Sequence, residues 1–409
     1  MKPLTRKLFT ALLILLPFLE AKADDLTTLL LTWQRDPSTT MTVQWIRTSN
    51  RPATRQLHFW KEGEEATQTV KVPSKALKAW RGHRLHRVEL TGLEPDTTYR
   101  FRVHKSEREF AFRTLPKTLS RPLRIAVGGD TLHRREWMDA VNQQVLKHDV
   151  DFVVIGGDLA YADGLERNLS RWDTWFESLH ETLIYPDGRL LPMVVAIGNH
   201  EVQGGYFFSH ATYENSDKWR ERVAPYFYQL FAFPGHPGYN VLDFGDYLSL
   251  FMLDTDHSHP IEGQQTEWLK EALAERAGGK RHLIPVYHVP GWPSHRPFDG
   301  RVSARVRENW VPLFERFDVQ VAFENHDHTY KRTEPIRNEA IDPERGIIYV
   351  GDGAWGVGTR PTHDPDETWY LKRAESEHHF ILMTLNPNGS LDFKAIRKEG
   401  DTIDSWEIP

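Results

Sequence analysis

The stretch Asp151-Phe-Val-Val-Ile-Gly-Gly-Asp158-Leu-Ala-Tyr161 constrains the fold of this chain more than any other. A short unbroken apolar run that stops at two glycines reads as a parallel strand covered on both faces. It ends by presenting a carboxylate and, three residues on, a phenol. Packing alone asks for neither. Taken by itself, the stretch leaves open whether Asp158 caps a following helix and Tyr161 is core.

The other apolar runs end in the same manner. Leu123-Arg-Ile-Ala-Val-Gly-Gly stops at Asp130, and Met193-Val-Val-Ala-Ile-Gly at Asn199-His200-Glu201. Leu283-Ile-Pro-Val-Tyr stops at His288, and Val319-Gln-Val-Ala-Phe-Glu-Asn at His326-Asp327-His328. In open α/β sheets ligands bind outside the carboxyl ends of the strands, so five such ends form one convergent set. Asp, Tyr, Asn and His offer oxygen and imidazole donors, which suits iron, manganese or zinc rather than a structural zinc site. Seven side chains (Asp130, Asp158, Tyr161, Asn199, His288, His326 and His328) are too many for one ion and about right for two. Asp158, on the middle strand end, is placed to bridge them. Two ions a few ångströms apart clamp an in-line displacement at phosphorus.

The remainder of the chain frames this set. Lys2, Arg6 and Lys7, the apolar run Leu8 to Leu19, and Ala21-Lys22-Ala23 read as a secretory signal peptide over residues 1–23, too short for a membrane span. An exported protein is expected, periplasmic or secreted, with no membrane partner. The chain has no cysteine, so disulfides and thiolate-bound metal are excluded. Residues 24–115 carry 16 Lys+Arg against 11 Asp+Glu, whereas residues 116–409 carry 31 against 45. An acidic major portion argues against nucleic acid as partner. The basic cluster Lys75, Lys78, Arg81, Arg84 and Arg87 reads as a solvated strand edge. From Leu29 to Leu115 the pattern is all-β, and Leu93-Glu-Pro-Asp-Thr-Thr-Tyr99 resembles the tyrosine corner of β-sandwiches. Residues 24–116 are therefore expected to form a fibronectin type III-like sandwich, separated by a proline-flanked linker from a domain over 120–409. There strand runs alternate with helical patterns at Arg135–His148, Glu262–Arg276 and Arg301–Phe317.

Taken in order, Gly129-Asp130, Gly157-Asp158-Leu-Ala-Tyr161, Gly198-Asn199-His200-Glu201, Val286-Tyr-His288 and Asn325-His326-Asp327-His328 resemble the blocks of the purple acid phosphatases, a branch of the metallophosphoesterases. The resemblance spans most of residues 120–400. Two departures stand out: Leu132 and Asn325 occupy positions where the family carries glycine. They bear on local backbone geometry and replace no ligand.

The resemblance implies a calcineurin-like fold of mixed sheets flanked by helices, with a C-terminal β segment. It also implies a phosphate monoesterase working through hydroxide activated at a dinuclear centre. Fe(III) would be held by Asp130, Asp158, Tyr161 and His328, and a divalent ion (Zn, Mn or Fe(II)) by Asp158, Asn199, His288 and His326. Two aspartates and a tyrosinate against these ions leave the site near +2, attractive to a small phosphorylated substrate. His200 and His295 are the candidates to protonate the leaving alcohol, while Glu201 orients its neighbours and Asp327 points away. Asp254 and Asp256 read as structural and His133 as a surface residue or one packed just behind the ligands. Loops around Tyr206–Tyr228 and Trp292–Phe298 would select the alcohol, so a phosphodiesterase or nucleotide hydrolase on the same core stays open. A complete ligand set argues against a non-catalytic adhesion module. Oligomeric state is not readable.

Overall fold

The computed structural model describes residues 26–206, 213–279 and 281–409. The signal-peptide pattern lies outside the described residues, as do residues 207–212 of the Tyr206–Tyr228 stretch. No helix among the described residues is long and apolar enough to cross a membrane.

Seven antiparallel strands open the chain: β1 (Leu30–Thr32), β2 (Thr40–Thr48), β3 (Thr54–Lys61), β4 (Gln68–Ala76), β5 (His83–Thr91), β6 (Thr98–Val103) and β7 (Phe110–Arg113). They pair in the order β1-β2-β5-β4-β3-β6-β7. β4 changes partner along its length, lying against β3 through Pro73 and against β5 from Ser74 to Ala76. This switch folds the seven strands into two layers. Met41, Val43 and Trp45 alternate along β2 and are fully buried, as the period of two requires. The Tyr99 hydroxyl accepts the Glu94 N–H at 2.9 Å, which makes the corner that its sequence suggested.

Two mixed sheets follow. β8 (Leu123–Gly128), β9 (Phe152–Ile155) and β10 (Met193–Val195) run parallel in the first. The second contains β11 (Asn240–Phe244), β12 (Leu248–Met252), β13 (His282–Val286), β14 (Val321–Glu324) and β15 (Tyr330–Thr333). A small pair, β16 (Ile336–Arg337) and β17 (Ala340–Ile341), stands apart, and β18 (Ile348–Gly351) and β19 (Leu371–Glu375) complete the second sheet. β20 (His379–Leu385), β21 (Leu391–Arg397) and β22 (Thr402–Ile408) complete the first. The orders are β10-β9-β8-β20-β21-β22 and β11-β12-β13-β14-β18-β15-β19.

The apolar run of β9 is continuous because both of its faces are covered. Phe152 and Val154 join the core shared with Val286, Val321 and Phe323 of the other sheet. Val153 and Ile155 pack outward, with Met138 of α1 (Arg135–Val145) and Trp175 of α2 (Ser170–Thr182). Beyond the short helices α3 (Asp217–Val223) and α4 (Phe227–Leu230), three more cover the second sheet: α5 (Gln264–Arg276), α6 (Arg301–Asn309) and α7 (Val311–Arg316). The pattern from Arg301 to Phe317 thus forms two helices rather than one. Pro312 has no N–H for the preceding turn, and the chain breaks at Trp310.

The two β units are tied together by rings and ions. Trp33 meets Phe152 edge-on at 5.5 Å, and Phe152 stacks on Phe244 at 4.9 Å. Buried Asp151 pairs with Arg113 and, at 2.9 Å, with Arg121. Arg87 departs from the solvated edge expected of its basic cluster. Its guanidinium donates to the Leu230 carbonyl at 2.8 Å, beside Gln44, which donates to the same oxygen at 2.6 Å. The last carbonyls of α4 lack helical donors, and these two side chains supply them.

Candidate metal centre

Each of the seven side chains sits just past a strand that ends at one edge of the two sheets. Asp130 follows β8, Asp158 and Tyr161 follow β9, Asn199 follows β10, His288 follows β13, and His326 and His328 follow β14. Five of them hold left-handed backbone: Asp130 at φ 56°, Asp158 at 54°, Tyr161 at 55°, His326 at 80° and His328 at 60°. Such a conformation is disfavoured for residues with a Cβ and persists where the surroundings impose it, commonly at functional sites. Gly198 admits the close approach of Asp158, because a Cβ there would strike the carboxylate.

Asn325 takes no such conformation. Its side chain, whose Nδ2 donates to the Tyr287 carbonyl at 2.9 Å, fills the space above Gly129 and Gly156. Leu132 joins the apolar cluster of Met138 and Trp175. Neither departure displaces a donor.

The donor atoms form two groups. Tyr161 donates its hydroxyl to Asp130 Oδ1 at 3.0 Å, and His328 Nε2 lies 3.1 Å from both oxygens. His288 Nε2 lies 3.1 Å from Asp158 Oδ2, 3.1 Å from Asn199 Oδ1 and 3.0 Å from His326 Nδ1. Asp130, Asp158 and His328 can bring ligand atoms within 4.8 Å of one another, and so can Asp158, His288 and His326. Asp158 belongs to both groups.

This donor set fits cations. Nδ1 of His288 faces the Gly156 carbonyl at 3.0 Å and must donate there, so a neutral ring aims the Nε2 lone pair at a carboxylate, an amide oxygen and a second imidazole. Nδ1 of His328 is likewise held by the Gly358 carbonyl at 3.1 Å, turning its Nε2 lone pair on Asp130 and Tyr161. Among the described residues, Asp158 Oδ2 is buried without a hydrogen-bond donor aimed at it. Acceptors packed against acceptors need positive charge between them. With protons alone, burial opposes charging His288, yet Asp158 and Asp130 push it up to about 9. His326, buried and 3.0 Å from that imidazolium, is driven well below the usual range.

Residues 27–114 match the family model described as "Purple acid Phosphatase, N-terminal domain", and residues 123–330 match "Calcineurin-like phosphoesterase". This chain belongs to the calcineurin-like phosphoesterases. Its resemblance to their purple acid phosphatase branch is borne out. The chain is 29% identical to purple acid phosphatase 21 of Arabidopsis thaliana over 66% of its own length and 58% of the relative's. It is 24% identical to the Arabidopsis Fe(3+)-Zn(2+) purple acid phosphatase 12, over 77% and 69% of the two lengths. It spans less than two thirds of the Arabidopsis phosphatases 21 and 22. The fold matches a purple acid phosphatase from yellow lupin (Lupinus luteus) seeds with a TM-score of 0.74 at 20% identity, covering 93% of this chain and 74% of that one.

Around the donors, the phosphoesterase spends its polar groups on fixing loops. The Glu201 carboxylate accepts the N–H groups of Asp158, Leu159 and Gly198, each at 2.8 Å. Buried beside Asp158, it is pushed up to about 7. Asp327 turns from the donors and accepts the N–H groups of Ser294 and His295 at 2.9 and 2.8 Å. Asp254 is structural, holding the N–H groups of His257 and Ser258. The His133 ring lies edge-on to Tyr161 at 4.4 Å.

His200 and His295, the two expected proton donors, have different surroundings. The His200 ring lies tilted against Tyr161 at 4.2 Å, its Nε2 4.0 Å from Asp158 Oδ2 and its Nδ1 2.5 Å from Asp163 Oδ1. Burial disfavours its charge, but Asp158 and Asp163 outweigh burial and raise its pKa. Among the described residues the His295 ring bonds the Pro361 carbonyl at 2.7 Å and makes no contact with the donors.

Several neighbours of the centre escaped sequence reasoning. Asp163 lies two residues past Tyr161, Tyr206 reaches His326, and Arg360 approaches the His326 carbonyl. Only Tyr206 stood in a stretch whose aromatic content had signalled it.

Proposed function

We propose that this phosphoesterase hydrolyses small phosphate monoesters, with Asp130, Asp158, Tyr161 and His328 holding Fe(III), and Asp158, Asn199, His288 and His326 holding a divalent ion. Asp158 carries the reading, because one buried carboxylate serves both donor groups. The printed name of the Arabidopsis Fe(3+)-Zn(2+) relative supports the choice of ions. Tyr161 favours the trivalent ion on its side. Its buried phenol, beside Asp130 and Asp158, is held well above its usual range, and a strong Lewis acid bound at its oxygen would be needed to displace the proton to solvent.

When bound, the two ions supply Lewis acidity toward water and toward the phosphoryl oxygens. The protein's own contribution is orientation and proton movement. Glu201 and Gly198 fix the Asp158 turn, and Asn199 sits on the short helical turn that presents His200. His200 Nε2 delivers a proton to the departing alkoxide, and Asp163 stabilises the charged ring that does so. His295 remains a second candidate by its place in the Ser294–Arg296 loop, but the contacts of His200 favour it for this step.

We further assign the enzyme to export on the strength of residues 1–23, with 24–116 as a non-catalytic sandwich and 120–409 as the catalytic domain. N-terminal sequencing of the mature protein tests the first point.

The decisive experiment reconstitutes the enzyme with Fe(III) and Zn(II) and measures p-nitrophenyl phosphate and bis(p-nitrophenyl) phosphate hydrolysis at acidic pH. The monoester is expected to be faster, and Asp158→Ala to lose both metal and rate. A variant that keeps full metal content and rate overturns the assignment. A faster diester moves the enzyme to the phosphodiesterases.

A further inference from the structure

Helix α2 braces the Tyr161 side of the centre. Arg171 and Trp175 stand four residues apart on it and so share one face. Arg171 Nε donates to the Ala160 carbonyl at 2.7 Å, and its Nη2 donates to the Leu132 carbonyl. Trp175 Nε1 donates at 3.0 Å to the Thr131 hydroxyl, which in turn donates at 2.6 Å to the Leu159 carbonyl. Each side chain thus ties the turn after Asp130 to the turn that carries Asp158 and Tyr161. Neutral donors would serve for this bracing alone.

Charge sets Arg171 apart. Its Cζ lies over the Tyr161 ring, 5.9 Å from the centroid. No carboxylate among the described residues lies within ion-pair distance of it. Asp163 acts on it from farther off, with Oδ1 held 2.5 Å from His200 Nδ1 and Oδ2 accepting from Asn168 Nδ2 at 3.2 Å. Burial disfavours the guanidinium charge, and Asp163 and Tyr161 are what offset it. The other rings against Tyr161 are the imidazoles of His133 and His200.

A half-buried cation without a paired anion acts on the nearest polarisable group, which here is the phenol ring. Once that phenol has lost its proton to a trivalent ion, a positive charge over the ring stabilises its electrons. The oxygen then donates less to the ion that it holds, and the ion stays a stronger Lewis acid. The same field favours the reduced over the oxidised ion, as groups outside the ligand set commonly tune a metal.

We infer that Arg171 is a positioning residue for Tyr161 that acts through its charge: the guanidinium weakens the tyrosinate as a donor and so keeps the Fe(III) half of the centre strongly Lewis acidic. The inference rests on the assignment of Tyr161 and Fe(III) proposed above.

The test is visible spectroscopy and a spectroelectrochemical titration of the Fe(III)–Zn(II)-loaded enzyme. Without the cation, phenolate electrons pass to iron at lower energy, so the tyrosinate-to-Fe(III) band of Arg171→Gln should move to longer wavelength. At a fixed applied potential its ratio of oxidised to reduced iron should rise roughly tenfold, a fall in potential of about 59 mV for one electron. Arg171→Met gives the same two readings if the glutamine variant melts early. Arg171→Lys keeps the charge without the fork, and Trp175→Phe loses a brace without a charge, so both should stay near wild type. An Arg171→Gln protein with wild-type band and potential overturns the inference and leaves the Tyr161–Fe(III) assignment intact. The same holds for a lysine or Trp175→Phe variant that shifts as far as the glutamine one, since bracing would then explain the effect. An iron-loaded wild-type protein without the band overturns both.

Discussion

The Tyr206 hydroxyl lies 3.0 Å from Nε2 of His326, while Nδ1 of the same ring faces His288 Nε2 at 3.0 Å. One imidazole is thus held at both nitrogens, with the donor nitrogen turned to the centre. His257 contributes by holding the Gly205 carbonyl at 2.8 Å, which fixes the backbone next to Tyr206. A group that orients a ligating histidine is worth about 10–100-fold in metal affinity. Tyr206→Phe keeps the ring and removes the hydroxyl. It should weaken binding of the divalent ion by that factor in competition with a chromogenic chelator, with an unchanged circular dichroism spectrum. Wild-type affinity in this variant would mean that the backbone alone orients His326.

Tyr161 offers a spectroscopic readout. The phenol bonds Asp130 and stays protonated in its buried site unless a strong Lewis acid displaces the proton. Iron-loaded protein should therefore be coloured by tyrosinate-to-Fe(III) charge transfer, and Tyr161→Phe should lose the visible band. A colourless iron-loaded wild-type protein would remove Tyr161 from the ligand set.

The proton donor is separable by leaving group. An alkyl phosphate such as β-glycerophosphate expels a poor alkoxide and needs a proton, whereas p-nitrophenolate leaves without one. His200→Asn should lower kcat on the alkyl ester by about 10²–10⁴, with metal content intact and a much smaller loss on the nitrophenyl ester. His295→Asn should leave both rates closer to wild type. The reverse ranking would hand the role to His295.

Much of the centre was legible because strand ends leave a local signature. Apolar residues run up to glycine and a donor residue follows at Asp130, Asp158 and Asn199, while the run before His288 ends at Tyr287 without a glycine. The tyrosine corner was legible for the same reason, since Leu93 to Tyr99 is a closed local unit. What escaped is non-local. Arg360 is brought to His326 from 34 residues away in sequence and Tyr206 from 120. Arg87 looked like one more solvated cation until the carbonyl of Leu230, 143 residues on, took it as a helix-end donor. The single helical pattern across Arg301–Phe317 failed at Pro312, where the apolar period continues but the backbone hydrogen bond cannot.

Asn325 and the glycines beneath it form a testable steric unit. Gly156 has no left-handed backbone, so alanine there is conformationally allowed, but its Cβ would collide with the Asn325 side chain. Gly156→Ala should cost about 1–3 kcal/mol as overpacking. Adding Asn325→Gly, the residue usual at this position in the resembling family, opens the space and should return most of the lost melting temperature. A double variant no more stable than Gly156→Ala would show that the clash lies elsewhere.

Acid stability should be limited by buried neutral histidine rather than by the centre alone. His379 lies on β20 against Tyr330, 2% exposed, with Nδ1 facing the Glu377 carbonyl at 3.1 Å. Burial lowers its pKa to about 4. The unfolded chain titrates near 6.5, so between these values the unfolded state binds a proton that the folded state refuses. Stability is therefore full above about pH 6.5 and falls as pH drops toward 4, by about 3 kcal/mol for this one group. His379→Gln removes the titration. Its unfolding free energy, measured by urea titration on chelator-treated protein from pH 7 to 4, should fall less steeply than that of wild type. Parallel slopes would mean that His379 opens to water and charges without unfolding the sheet.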